Sequence, residues 1–178
     1  MKWVMIVVAA LVGVPLLMAL IGLLLPRDHV AGATIVVRQP PERVWAVVRD
    51  LGAMPQWWTE LRYSERASGG DGWEHWKQES RAGAMTIVIE TDEPPRRLMT
   101  RIESPPGAPF GGSWTYDIAP VPEGSRVTVT ERGWIANPLF RFLSRFVFGY
   151  YRTQESYLRA LGGKLGETVE PVRTAGGN

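Results

Sequence analysis

Six short strand-like segments follow one another between Leu61 and Trp134, and one long apolar-striped segment comes after them. No other feature constrains the fold as much. The segments are Leu61–Ala67, Trp73–Ser80, Met85–Thr91, Arg97–Glu103, Ser113–Ala119 and Ser125–Trp134, broken by SGGDG, SRAGA, DEPPR, SPPGAPFGG and PVPEG. Turn residues at that spacing predict an antiparallel meander. Met85, Ile87 and Ile89 fall on one face of their strand, as do Trp114, Tyr116 and Ile118 on theirs, and Val127 and Val129 on the last. One face of the sheet therefore needs a cover.

The cover comes last in the chain. Asn137-Pro138 reads as an N-cap followed by proline at the first helical position. From there to Glu167 about thirty residues carry Leu139, Leu143, Phe146, Tyr150, Thr153, Tyr157 and Leu161 on one side, which predicts one long helix, with Gly149 within it as a candidate bend. Upstream, Asp28–Gln39 reads as a first strand, stopped by Pro40-Pro41. Val44, Val47, Val48 and Leu51 then give a short amphipathic helix that Gly52 ends, and Met54–Trp58 gives a second short turn. The expected architecture is α+β: a curved antiparallel seven-strand sheet wrapped around a long C-terminal helix, a helix-grip.

Ahead of this domain, Trp3–Leu25 contains no charged residue. As a helix it would be about 35 Å long at about 1.5 Å per residue, enough for a bilayer core of about 30 Å. The sequence thus predicts a single-pass transmembrane anchor over residues 1–27, a domain over 28–167 and a disordered tail over 168–178. A cleaved signal peptide ending at Ala31-Gly32-Ala33 is the competing reading. The apolar run is longer than a signal core of about 7–15 residues, and that cut would sever the first strand. Lys2 and the terminal amine favour an inside N-terminus, whereas Arg27, Arg38 and Arg43 pull the other way. The reading leans to an extracytoplasmic domain.

Several classes are excluded. The chain has no cysteine, so disulfides and thiol catalysis are out. A formal charge of +2 gives no electrostatic footprint for nucleic acid. His29 and His75 are the only histidines and stand alone in sequence, so neither a metal nor another cofactor is expected. No nucleophile elbow, phosphate loop or dinucleotide fingerprint occurs.

Chemistry has to come from strand parity. Glu131 shares a face with Val127 and Val129, and a carboxylate in an apolar cavity is a candidate acid or base. Its alternative is an ion pair with Arg101 or Arg97. Tyr116 lies with Trp114, and His75 with Trp73 and Lys77, while Trp76 takes the opposite face. Phe110 tips the Glu103–Gly112 loop, a composition that suits a gate or an ordinary hairpin connection. Arg141, Arg145, Arg152 and Arg159 recur on one helical face, a stripe that suits anionic headgroups or solvent.

Four stretches carry a resemblance: PPERVWAVVRDLGAMPQWW, GWEHWKQES, GGSWTYDIAPVPEGSRVTVTERGWI and NPLFRFLSRFVFGYYRTQESYLRALGGKLGE. Together they resemble the START/polyketide-cyclase-like superfamily, SRPBCC. The resemblance implies a hydrophobic cavity between sheet and C-terminal helix, and no particular reaction. It places Trp57 at the closed end or rim of the grip, with Trp58 pointing elsewhere. The expected ligand-binding residues are Trp57, Trp73, Trp76, Met85, Ile87, Trp114, Tyr116, Glu131, Phe146 and Tyr150. The expected function is a membrane-anchored binding module whose partners are a hydrophobic small molecule or lipid and the membrane, not nucleic acid. The alternatives are a cyclase/dehydratase-like enzyme on a hydrophobic carbonyl substrate, with Glu131, Tyr116 and His75 as candidate catalytic groups, or a structural module that docks a membrane-protein partner.

Overall fold

The computed structural model describes residues 2–69, 72–80 and 83–174. The chain begins with helix α1 (Lys2–Leu24), then strand β1 (Asp28–Val37), helix α2 (Pro41–Arg49) and a single 3-10 turn (Met54–Gln56). The meander follows: β2 (Leu61–Ala67), β3 (Glu74–Ser80), β4 (Gly83–Glu93), β5 (Arg97–Ile102), β6 (Phe110–Val121) and β7 (Gly124–Ile135). Helix α3 (Pro138–Leu143), a π-helical turn (Ser144–Phe148), helix α4 (Arg152–Lys164) and strand β8 (Val172–Thr174) complete it.

All strands join one antiparallel sheet in the order β2-β3-β4-β5-β6-β7-β1-β8. The meander runs outward from β7, and β1 pairs along the whole length of β7. One face is apolar: Ala33, Ile35, Val37, Leu98, Tyr116, Ile118, Val127 and Val129 are all buried. Val44, Val48 and Leu51 of the α2 segment and Tyr157, Leu158 and Leu161 of α4 close over it. Each fully buried aliphatic side chain contributes about 1.5–3 kcal/mol, so this shared face supplies most of the fold's cohesion.

Three expectations change. The sheet has eight strands, because Val172–Thr174 pairs with Gly32–Thr34 on the free edge of β1. Part of the segment read as a disordered tail is therefore strand, and covering an open edge satisfies its backbone groups. The single C-terminal helix is broken. Asn137 caps α3 through its side chain, which accepts from Leu139 N at 2.9 Å and Phe140 N at 3.3 Å. Six residues later the helix loosens into the π turn, and Gly149 leaves it with φ 77° and ψ 143°. That backbone is open to glycine and strained for other residues. Phe110 is also the first residue of β6, paired with Ile135, rather than a loop tip.

The apolar N-terminal run is helical over its expected length, but α1 does not touch the sheet core. It packs against α3: a Cβ built on Gly22 would lie 1.9 Å from the Pro138 carbonyl oxygen. Leu11, Val12, Leu16, Leu17, Leu20, Leu23 and Leu24 remain exposed. The predicted span includes residues 6 and 8–10, whose side chains lie outside the described set. Among the described residues no helix is long and apolar enough to cross a membrane.

Candidate functional site

The strand register assembles the site in rows. Leu98, Tyr116, Val129 and Ala33 line up across β5, β6, β7 and β1, all facing the helices. The next inward row is Thr100, Trp114, Glu131 and Ala31. The third joins Gly112, Gly133 and His29. Two of its members have no side chain: the His29 imidazole fills the space Gly133 leaves, and the Arg132–Gly133 backbone closes on Gly112. A Cβ on Gly133 would come within 2.6 Å of His29 Cε1 and 3.1 Å of Glu131 Oε1.

The inner part of the grip is filled by aromatic rings. Tyr157 of α4 stands at their centre, with ring centroids at 5.4 Å from Trp57, 5.3 Å from Trp58, 6.0 Å from Trp114 and 5.4 Å from Tyr116. Both adjacent tryptophans thus pack on one tyrosine, Trp57 tilted at 60° and Trp58 edge-on at 90°, and Trp58 Nε1 also donates to Ser156 Oγ at 3.2 Å. The Trp57 indole N–H and the Tyr157 hydroxyl are buried with no hydrogen-bond partner. Burial pushes both tyrosine hydroxyls far up from their ordinary range, Tyr116 despite its hydrogen bond with Thr100 and with the Glu131 charge adding to the effect. Neither phenol is poised to lose a proton.

Open volume lies beyond the third row. A cavity of about 570 Å³ sits between the Glu131 end of β7, the start of β6, the α3–π turn segment and the start of α4. Ile102, Phe110, Trp134, Ile135, Phe140 and Phe148 make its apolar wall, with His29, Glu131, Ser144, Tyr150 and Thr153 as the polar or amphipathic positions. The volume is within the range of small-molecule sites, about 300–1,000 Å³. A second hollow, of about 530 Å³, lies away from the grip between Arg38, Glu123 and Gly166–Glu170 and is mostly polar.

Glu131 is the centre of the polar floor. His29 Nε2 lies 3.3 Å from its Oε1, and Gln154 Nε2 donates to its Oε2. Since a carboxylate accepts, the geometry puts the imidazole proton on Nε2. The His29 ring stacks on Tyr150, with centroids 4.3 Å apart and planes at 16°. Burial pushes the Tyr150 phenol up, while Arg145 and Arg141 pull it back. Gln154 is wholly buried, and its Oε1 has no partner. The pairing of Glu131 with Arg101 or Arg97 does not form: Arg101 pairs with Glu90, and Arg97 with Asp117 at 2.7 Å.

The sequence-predicted residues divide accordingly. Glu131 and Tyr150 line the cavity. Trp57, Trp114 and Tyr116 belong to the aromatic packing, and Trp76, Met85 and Ile87 pack on the core. Trp73 is 52% exposed ahead of β3. Phe146 is 60% exposed and rests on Phe142, 4.9 Å between centroids, because the π turn rotates it off the helical stripe. His75 pairs with Val88 on the outer face of the sheet, opposite in parity to Trp76, with Nδ1 3.8 Å from Glu103. Of the three candidate catalytic groups, Tyr116 and Glu131 share the inner face and His75 does not.

The arginine stripe also comes apart. Arg141 is buried, donating from Nη1 to the Leu25 carbonyl at 2.9 Å and from Nη2 to the Ala136 carbonyl at 3.1 Å. Arg159 reaches Glu170 instead, and the break at Gly149 destroys the common face. Among the described residues no group of three or more His, Cys, Asp or Glu is placed to hold a metal ion.

Sequence reasoning passed over His29 and Gln154. Parity carried a signal for the first: His29 alternates with Ala31, Ala33, Ile35 and Val37, all on the buried face. Gln154 precedes Tyr157 by three and Leu158 by four, the spacing of one helical face.

Comparison with known proteins agrees with this architecture. Residues 29–162 match the family described as polyketide cyclase / dehydrase and lipid transport, and the chain belongs to it. The fold is that of the wider SRPBCC, START-like group. A START superfamily protein from Mycobacterium smegmatis is similar at 19% identity and a TM-score of 0.57, over 78% of this chain and 97% of that one. A conserved protein from Geobacillus kaustophilus gives 14% identity and a TM-score of 0.61, over 80% and 99%. The di-domain aromatase/cyclase StfQ of the steffimycin biosynthetic pathway gives 12% and 0.57 over 76% of this chain, which spans 49% of that protein. At such identities the likeness shows the fold alone. No curated protein matches the chain.

Proposed function

We propose that the protein is a membrane-tethered binding module for a hydrophobic small molecule or lipid, held in the cavity at the α3 end of the grip. The observation that carries this is the cavity itself: an apolar wall of Ile102, Phe110, Trp134, Ile135, Phe140 and Phe148 closing on one hydrogen-bonded carboxylate. An apolar hollow with few convergent polar groups is what a binding site for a mostly hydrophobic molecule requires. The family description, with its lipid-transport members, is consistent with it.

The tether rests on α1. The segment Trp3–Leu25 carries no charge, and Trp3, Val4, Met5, Val7, Leu11, Val12, Leu16, Leu17, Leu20, Leu23 and Leu24 in it stay exposed. Lys2 and the terminal amine remain inside in this reading, and the domain stands on the extracytoplasmic side. The chain has no native cysteine, so single cysteines placed on the domain can be tested with a membrane-impermeant thiol reagent on whole cells. Labelling without lysis supports this side; labelling only after lysis reverses it.

Native mass spectrometry of the gently purified full chain, followed by extraction of whatever is bound, tests the binding function. A discrete hydrophobic passenger lost on Tyr150→Ala is the expected result. Empty protein across several preparations, with no uptake of added lipid, would sink the proposal.

One observation favours a second reading. Glu131 and His29 are hydrogen-bonded inside the cavity, the form an acid–base pair takes in a cyclase/dehydratase-like site. Turnover of a hydrophobic carbonyl substrate, abolished by Glu131→Gln with ligand binding retained, would establish it.

A further inference from the structure

The binding-module reading leaves the ligand's polar end open, and the cavity floor constrains it. Two ionisable residues among those lining the cavity, His29 and Glu131, are already hydrogen-bonded to each other, and no lysine or arginine lines it among the described residues. Glu131 accepts one hydrogen bond on each oxygen, from His29 and from Gln154. A carboxylate has about four lone-pair sites, so it can accept further. The orientation that lets Gln154 donate to Glu131 leaves its carbonyl oxygen a buried acceptor without a partner. His29, donating from Nε2, has its other ring nitrogen as an acceptor. At Glu131 the floor therefore offers acceptors, with the His29 and Gln154 donors already engaged, while the Ser144, Tyr150 and Thr153 hydroxyls of the cavity lining can donate or accept.

An anionic head brought to this floor would meet the Glu131 charge in a largely apolar surrounding, where like charges repel strongly. The cations nearby do not offset this. Arg141 is spent on the Leu25 and Ala136 carbonyls, and Arg145 is exposed on the π turn. Both act electrostatically on Tyr150, which lines the same cavity, so the floor is not a strong cation site either. An acceptor such as an ester carbonyl would find no free donor at Glu131.

We infer that the cavity selects an amphiphile with an apolar body and an uncharged head that donates a hydrogen bond, a hydroxyl, to Glu131, and that it discriminates against the corresponding carboxylic acid. This rests on the binding-module function and sharpens it.

The test uses the full chain in lipid nanodiscs at neutral pH with four probes of equal chain length: 1-hexadecanol, hexadecanoic acid, methyl hexadecanoate and hexadecylamine. Affinities are read by native mass spectrometry and by quenching of the tryptophan emission, since Trp134 lines the cavity. The alcohol is expected to bind one per chain, about tenfold or more tighter than the acid and the ester. Glu131→Gln is expected to bring alcohol and acid to within about threefold of each other, since the amide removes the charge. Phe148→Ala, at the exposed rim, is expected to weaken all the probes alike and serves if Glu131→Gln fails to fold. Acid binding as tight as the alcohol overturns the head-group inference and leaves the binding function standing. An amine tighter than the alcohol overturns the uncharged assignment. Failure of all four to bind overturns both.

Discussion

The guanidinium of Arg141 donates to the carbonyl of Leu25, 2.9 Å away, and so joins the end of α1 to the start of the C-terminal helical segment. Helix ends leave their last carbonyls unpaired, and a cation there also meets the negative end of the helix dipole. The same side chain holds the Ala136 carbonyl, so one residue ties the N-terminal helix to the junction between β7 and α3. Arg141→Met is expected to lower stability by about 1–3 kcal/mol through the two partly buried carbonyls it strands. Limited proteolysis at Arg27 should accelerate as well. A variant with unchanged melting and unchanged cleavage would show that α1 and the domain are not coupled through this contact.

Gly22 makes the same junction from the other side. Its missing Cβ is what allows Pro138 to approach, so Gly22→Leu should separate α1 from α3 while each keeps its own structure. A crosslink between cysteines placed near positions 22 and 138 should form in the parent chain and be lost in the leucine variant.

The break at Gly149 bounds the cavity, and its φ of 77° with ψ of 143° is a conformation essentially confined to glycine. Gly149→Ala is expected to cost about 1–3 kcal/mol in backbone strain, although nothing stands within 4 Å to clash with a Cβ. Denaturant unfolding measures the cost. An effect below about 0.5 kcal/mol would mean that the π turn relaxes freely into a continuous helix.

These two positions also show where sequence reading stops. The strands were legible because turn residues punctuate them and alternation marks the inner face, and the rows that carry Val129 and Glu131 follow from that parity. The order of the elements, a meander followed by one long apolar-striped segment, then gave the grip. Gly149 is a sequence signal for a bend in the last helix, but the π turn before it was not legible, because Phe146 and Tyr150 keep helical spacing in sequence and only the observed backbone shows the turn between them to be π. The filled centre was not legible either. Parity can send Trp114, Tyr116 and Tyr157 inward, but whether three inward rings meet or line a void depends on distances of 5–6 Å set by the sheet's curvature. Strand β8 escaped because three residues with no alternation partner carry too little pattern to be told from a tail.

The filled centre gives a sharp stability contrast. The Tyr157 hydroxyl is buried without a partner, so Tyr157→Phe removes an unsatisfied group and should leave stability unchanged or raise it by up to about 1 kcal/mol. Tyr157→Ala takes away the ring that four other aromatics pack upon and should cost about 3–5 kcal/mol. Calorimetry on the two variants separates these cases. A clear loss on Tyr157→Phe would mean that the hydroxyl is hydrogen-bonded in solution.

The pH dependence of stability should trace to Glu74. The Arg49 side chain bonds it at 2.8 Å and holds its carboxyl below the ordinary value, against the opposing effect of burial, and the Trp76 indole adds a further hydrogen bond. Because the folded value is the lower one, the unfolded chain takes up the proton first as pH falls. The contribution is complete above the ordinary carboxylate range and is lost as pH drops through the lowered folded value. Both side chains are partly exposed, at 26% and 20%, so the effect is screened by salt. Denaturation midpoints taken from about pH 7 down to about pH 3 should fall for the parent chain and fall less for Glu74→Gln, with the gap between the two closing at the acid end. Parallel curves for the two proteins would assign the acid lability elsewhere.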